Sequence, residues 1–160
     1  MSRKSTFAAD VKRFADKTIR EQERIMRAVA LEIDKEVVMK TPVDTGRARA
    51  NWVIEINSVP SSFVEKSANA NPIADATGAV MRARIGDIIY IVNGLPYIRV
   101  LEYGEYPNPP KKGSRIGRGS RAKYVIKSQG GYSRQAPQGM VRITAQRWNQ
   151  FIKEVANGNG

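Results

Sequence analysis

The chain changes from a helical to a strand pattern at residues 41–52. Pro42 cannot continue a hydrogen-bonded helix and disfavours helical geometry at Thr41, so a helix is predicted to end here. Asp44 and Thr45 can accept hydrogen bonds from backbone N–H groups just ahead of them, and Gly46 can adopt a positive φ. We therefore predict a turn that is stabilised by its own side chains and leads into a strand.

The region before this turn, residues 7–40, predicts helix. Its apolar residues recur mostly at three- and four-residue steps, which indicates one buried helical face: Phe7, Val11, Phe14, Thr18, Ile25, Val29, Ile33 and Val37. Nearly every residue between 16 and 24 is charged or polar. The pattern therefore predicts either one long helix with an exposed middle or a short helix followed by a longer one.

The region after the turn predicts strands and a short helix. Alternating apolar residues from Trp52 to Ile56 complete a turn-and-strand region at 41–57. Residues 58–84, rich in Ser, Ala, Asn and Gly, predict a loop. Residues 85–104 predict a strand that is apolar on both faces and then a short helix, with a hairpin strand as the alternative to the helix.

The last third predicts a long loop and a second helix. Residues 105–138 form the predicted loop, within which 124–126 are a candidate strand and Gly130 and Gly131 a turn. Residues 139–157 predict a C-terminal amphipathic helix. Since no linker divides the chain, residues 1–160 are predicted to form a single domain of the α+β class.

Positive charge is concentrated in the predicted loop and the helix after it. The chain has 27 basic and 15 acidic residues, and no acidic residue lies between 106 and 153. Such asymmetry indicates an anionic partner and a loop that orders against it. The candidate partner-binding residues are Lys111, Lys112, Arg115, Arg118, Arg121, Lys123 and Lys127.

The composition argues against enzymatic chemistry. The chain contains neither cysteine nor histidine, so disulfides, thiolate metal sites and the usual hydrolytic triads are excluded. Asp44, Thr45 and Gly46 match the triplet of aspartic proteases, but that chemistry needs two carboxylates. The nearest repeat, which begins at Asp75, has an extra residue. We therefore predict that the protein is not an enzyme, binds no cofactor or metal and has no membrane-spanning segment.

Four segments in this order resemble tail-completion and neck proteins of tailed bacteriophages, the family that includes the minor tail protein Z type. The segments are Thr41–Gly46 with Asn51–Trp52, Ile89–Asn93, Pro96–Tyr97 with Leu101–Gly104, and Gln135–Met140. The resemblance implies an α+β domain with a long helix packed on an antiparallel sheet. It also implies scaffold roles: Pro42, Asp44 and Gly46 set the turn, Trp52 and Tyr90 fill the core, and Glu102 and Tyr103 brace the turn near the last helix. The alternative for Glu102 is a solvated helix residue.

The expected function follows from this resemblance. It is that of a structural virion protein at the head–tail junction, present in the host cytoplasm during assembly. It would form a six- or twelve-fold homo-oligomeric ring with connector, tail-tube or terminator proteins as partners and channel DNA as a further contact. The rivals are a tail-terminator ring subunit and a nucleic-acid-binding protein. The residues expected in the core are Trp52, Tyr90, Tyr97, Leu101 and Trp148.

Overall fold

A helix of 34 residues, α1 (Phe7–Lys40), is the longest element of the fold. The computed structural model describes residues 6–110, 113–116 and 119–158. Its class is α+β, as predicted. The elements that follow α1 are α2 (Arg47–Ala50), β1 (Val53–Ile56), α3 (Pro72–Val80), β2 (Ile89–Val92), α4 (Ile98–Tyr103), β3 (Ser114–Ile116), β4 (Lys123–Val125), β5 (Ser128–Gln129), β6 (Tyr132–Ser133), α5 (Val141–Ala145) and α6 (Trp148–Ala156).

Only the second half of α1 belongs to the core. The helix is continuous, but residues 7–22 are exposed, and Phe7 is 84% exposed. The prediction of one buried face along the whole segment was therefore wrong for its N-terminal part. From residue 25 onward the same stripe packs: Val29 contacts Phe151 and Val155 of α6, while Val37 joins the main core cluster.

Strands β1 and β2 pair antiparallel, with Ile54 opposite Ile91 and Glu55 opposite Tyr90. Ile54 and Ile91 face the cluster that includes Ala30 of α1, so the long helix packs on this sheet through side chains. Tyr90 points to the opposite face because side chains alternate along a strand. It is half-buried and belongs to no core cluster, which corrects its predicted core position.

The prediction that residues 58–84 form a loop was wrong, because α3 lies within them. Asn71 caps this helix by accepting a hydrogen bond from the Ala74 N–H at 3.2 Å, and Pro72 occupies its first turn. Ala76 and Val80 are buried against Ile54. The cap signals were present in the sequence, but the small side chains of α3 gave little apolar periodicity.

The predicted loop at 105–138 contains two short hairpins. In the first, β3 pairs antiparallel with β4, which confirms a strand near residues 124–126. In the second, β5 pairs with β6 across Gly130 and Gly131, so the turn lies where it was predicted but does not return the strand near 124–126. These pairings give the basic segment more regular structure than its composition indicated.

The predicted C-terminal helix is divided in two. It breaks between α5 and α6 at Gln146 and Arg147. Phe151 and Val155 of α6 are buried, but Trp148 is 51% exposed at the first turn of α6. Its predicted core position is therefore wrong, because the core ends before this turn.

Candidate functional site

The helix ends at the predicted proline, and buried hydrogen bonds fix the residue before it. Thr41 has an extended backbone and is 1% exposed. Its hydroxyl donates to the carbonyl of Val37 at 2.7 Å and accepts from Trp52 Nε1 at 2.8 Å. Arg49 donates to the carbonyls of Met39 and Thr41, so two of the free carbonyls at the end of α1 are satisfied.

Residues distant in sequence hold the turn that follows. The Val43 N–H donates to Gln135 Oε1 and Gln135 Nε2 donates to the Val43 carbonyl, both at 2.8 Å. Asp44 forms an ion pair with Lys127. The only local bond of the predicted kind runs from the Arg47 N–H to the Thr45 hydroxyl at 3.4 Å. The turn is therefore not stabilised mainly by its own side chains, which corrects the prediction for Asp44.

Replacing Gly46 with valine should lower the free energy of unfolding by roughly 1–3 kcal/mol, because a β-branched residue is strained at positive φ. Gly46 has φ +85°, as predicted, and an added Cβ would lie 3.0 Å from the Ala68 carbonyl oxygen. Gly78→Val is the matched control, since Gly78 lies in α3 with open space around it. Urea unfolding curves compare them; equal stability of the two variants would contradict the assignment.

The turn forms one wall of a polar cavity of about 330 Å³. Tyr97 and Tyr106 line it opposite the turn, and burial raises the pKa of both phenols. Asp44 is the only carboxylate among the described residues that line it. Aspartic-protease chemistry needs two carboxylates, and the described residues of one chain supply one to this cavity.

Glu102 joins the short helix α4 to the start of α5. Its carboxylate accepts hydrogen bonds from the N–H groups of Met140, Val141 and Arg142 at 2.7, 2.9 and 2.9 Å, and from Arg142 Nε at 3.2 Å. Burial opposes ionisation, but these donors together lower the pKa of the Glu102 carboxyl. Tyr103 stacks beside the Arg142 guanidinium, 5.0 Å from ring centroid to Cζ. The bracing contact expected of Glu102 is confirmed.

A glycine allows the segment before α5 to approach the backbone of Glu102 closely. Gly139 has φ +83°, and a Cβ there would lie 2.5 Å from the Glu102 carbonyl oxygen. Any larger residue would both strain the backbone and separate α4 from the start of α5. The segment before α5 is therefore built for close backbone approach to Glu102.

The expected core residues fall into two groups. Trp52 and Leu101 are buried in the same cluster, with Tyr97 half-buried against it. Tyr90 and Trp148 lie outside it, as described above. Pro42, Asp44, Thr45 and Gly46 all line the polar cavity.

The candidate partner-binding residues differ in exposure and in ion pairing. Arg121 and Lys123 are exposed, and neither forms an ion pair with a carboxylate in the described part of the chain. Lys127 is half-buried and paired with Asp44, so a partner would have to compete with this carboxylate for it. Lys111, Lys112 and Arg118 lie outside the described residues. The backbone of Arg115 lies opposite that of Tyr124 in the β3–β4 pair.

An apolar groove of about 700 Å³ lies on another side of the domain. Its floor is the middle of α1, and its walls are the start of β2 and the α5–α6 region. Ile88 and Trp148 on these walls are 57% and 51% exposed. We call this surface the groove; its principal side chains are Ile25, Met26, Ile33, Ile88, Trp148 and Ile152.

Three polar residues have positions or contacts that the sequence analysis did not predict. Asn51 is fully buried and bonds the backbone of Lys66 with both its amide atoms. Asn93 donates to the Ala48 carbonyl at 2.8 Å. Asp34 of α1 is 1% exposed, and neither of its carboxylate oxygens has a hydrogen-bond partner among the residues that the structure describes. An aspartate on the inner face of a predicted helix was the one available signal, since buried carboxylates are rare.

Comparison of the chain with family models, curated proteins and solved structures finds no match. Within residues 6–110, 113–116 and 119–158, no group of three or more acidic side chains is arranged to hold a metal ion. None of the helices in these ranges combines the length and hydrophobicity needed to cross a bilayer.

Proposed function

We propose that this chain is a structural subunit of a tailed-phage virion that joins head to tail or completes the tail within a neck ring. One observation carries the proposal. The four segments that resemble neck and tail-completion proteins are far apart in sequence, yet they pack together. Trp52, Leu101, Ala136 and Met140, from three of the segments, share one core cluster, and Asn93 of the fourth bonds the Ala48 carbonyl beside it.

The polar side chains of these segments support a scaffold role. Gln135 binds both backbone groups of Val43, and Glu102 binds three N–H groups at the start of α5. Asn93 likewise binds backbone. Because these polar atoms are used to fix the positions of neighbouring segments, the motif builds a rigid frame rather than a reaction centre.

The positive charges of the β3–β4 hairpin indicate a partner with an acidic surface. Arg121 and Lys123 project from the β3–β4 region without a carboxylate partner among the described residues. Unpaired charges of one sign favour association with a surface of opposite sign. We assign this hairpin to the acidic flank of a neighbouring ring protein, because tight contacts to phosphates would slow DNA passing through the channel.

Deleting the gene from the phage or prophage that carries it should give filled heads and separate tails, or tails of aberrant length, in electron micrographs. Normal infectious particles would refute the proposal. Complementation with the Arg121→Glu/Lys123→Glu variant should fail to restore joining, whereas the control Arg82→Glu/Lys153→Glu, with the same charge change elsewhere on the surface, should restore it.

Of these two outcomes, separate tails of normal length favour head–tail joining, whereas tails of aberrant length favour the tail-terminator role. A nucleic-acid-binding role predicts something different in vitro. The purified chain would bind duplex DNA with an affinity that falls steeply with salt, in proportion to the phosphates contacted.

A further inference from the structure

The N-terminal half of α1 extends beyond the domain as a separate arm, which we define as residues 7–22. All sixteen residues are exposed. The first long-range hydrogen bonds of α1 come just after the arm: Glu23 accepts from the Ile85 N–H at 3.3 Å, and Arg27 donates to the Ala83 carbonyl at 2.6 Å. At 1.5 Å per residue the arm is about 24 Å long.

The arm carries an apolar stripe that none of the other described residues covers. Phe7, Val11 and Phe14 stand at i, i+4 and i+7 and therefore lie on one face of the helix. They are 84%, 49% and 73% exposed. An isolated helix of this length is only marginally stable in water, and two exposed phenylalanines add an unfavourable hydration free energy. An exposed stripe of this kind is typical of a helix that docks on another surface.

The groove has the complementary form. It is apolar, open to solvent and lined by α1, β2 and the α5–α6 region. Recognition of a helix by an apolar groove uses anchors at i, i+3, i+4 and i+7, which is the spacing of Phe7, Val11 and Phe14.

The arm cannot fold back into the groove of its own molecule. Ile25, Met26 and Ile33 of α1 form the floor of the groove, and α1 has no break between Phe7 and Lys40. Because one continuous helix contains both surfaces, the arm, whose last residue lines the edge of the groove, extends along the helix axis away from it. Only the arm of another copy can reach it.

The charge of the arm and the area that it would bury are both compatible with docking in the groove of a second copy. Although the whole chain has a net charge of +12, the arm has four basic and three acidic residues, so its approach meets little repulsion. Each phenylalanine can bury about 150–250 Å². With the groove side chains and the flanks of the helix, this approaches the ~800 Å² per partner of a specific interface.

We propose that the arm of one copy docks in the groove of a second copy, with Phe7 and Phe14 as the buried anchors. Arm and groove are different surfaces, so each copy donates to one neighbour and accepts from another. Such head-to-tail contacts close into rings when the rotation allows. The interface is inferred from these two surfaces alone and stands whether or not the chain belongs to a virion.

The absence of cysteine makes a direct test clean, because every thiol in the experiment is an introduced one. Full-length Phe14→Cys and Ile88→Cys chains are mixed under mild oxidation, with a mass tag on one of them. We expect a disulfide between the two variants. Ala9→Cys, on the opposite face of the arm, replaces Phe14→Cys in the control and should give little product. A disulfide between two Phe14→Cys chains in place of the mixed product would overturn the proposal in favour of arm-to-arm pairing.

Sedimentation velocity measures the contribution of the anchors. Phe7→Glu/Phe14→Glu should weaken self-association by about 100-fold or more, since two buried phenylalanines are lost. Ala9→Glu/Arg13→Gln gives the same charge change on the opposite face and should leave association close to that of the wild type. A wild-type chain that remains monomeric up to about 100 µM, or equal effects of the two double variants, would overturn the proposal.

Discussion

Replacing Glu102 with alanine should lower the free energy of unfolding by about 3–5 kcal/mol, close to the largest effect expected of a single substitution. The alanine would leave three N–H groups at the start of α5 without their acceptor and would remove the partner of Arg142. Hydrogen bonds to a charged group are among the stronger ones in proteins. Urea unfolding at neutral pH measures the loss.

Two further substitutions make this test specific. Glu105→Ala removes an exposed carboxylate three residues away, whose ion pair with Arg99 lies at the surface, so it should cost at most about 1 kcal/mol. Glu102→Gln keeps one acceptor and should fall between the two. Since the pKa of Glu102 is lowered in the folded state, its contribution is present at neutral pH and is lost on acidification. A Glu102→Ala variant as stable as Glu105→Ala would contradict the role assigned to this carboxylate.

Asp34 should make the domain less stable as the pH rises. Burial raises the pKa of its carboxyl from 3.8 to about 6, and Lys66 offsets this only in part. The folded state therefore holds the proton more tightly than the unfolded state, and stability is lost between about pH 4 and pH 6. At 1.36 kcal/mol per pKa unit, a rise of about two units corresponds to about 3 kcal/mol at pH 7.

The measurement is a comparison of wild type with Asp34→Asn at pH 4 and pH 7. Asparagine cannot ionise, so its free energy of unfolding relative to wild type should increase by about 3 kcal/mol between the two pH values. The unpaired amide adds a constant cost at both, which cancels from the difference. Asp16→Asn removes a carboxylate from the exposed arm and should change stability by less than about 0.5 kcal/mol. A pH-independent difference for Asp34→Asn would show that Asp34 reaches a partner when ionised.

The parts of the fold that depend on neighbouring residues could be predicted from the sequence. Pro42 ended α1 where expected, Gly46 adopted a positive φ, and residues 52–57 contained β1. Each of these follows from backbone sterics or from a period-two pattern within a few residues. Trp52, which the family resemblance placed in the core, and Leu101 are both buried there.

Contacts across long stretches of sequence could not be predicted in this way. Gln135 lies 92 residues from Val43, and Lys127 lies 83 residues from Asp44. A basic residue in a loop of like charges gave no sign that it would turn inward to a carboxylate. Trp148 was placed in the core because its spacing matches that of Ile152 and Val155, but spacing does not show where the neighbouring layer ends.

Because arm and core share one unbroken helix, the direction of the arm is set by the packing of Ile25–Val37 inside the domain. α1 therefore acts as a lever. A tilt of about 5° at its packed end moves the far end of the 24 Å arm by about 2 Å. Substitutions that repack Val29 against α6 should thus alter the angle between successive copies without touching either contacting surface. The packing inside the subunit then determines the pitch of an assembly. It thereby determines whether the assembly closes into a ring or continues as an open helix.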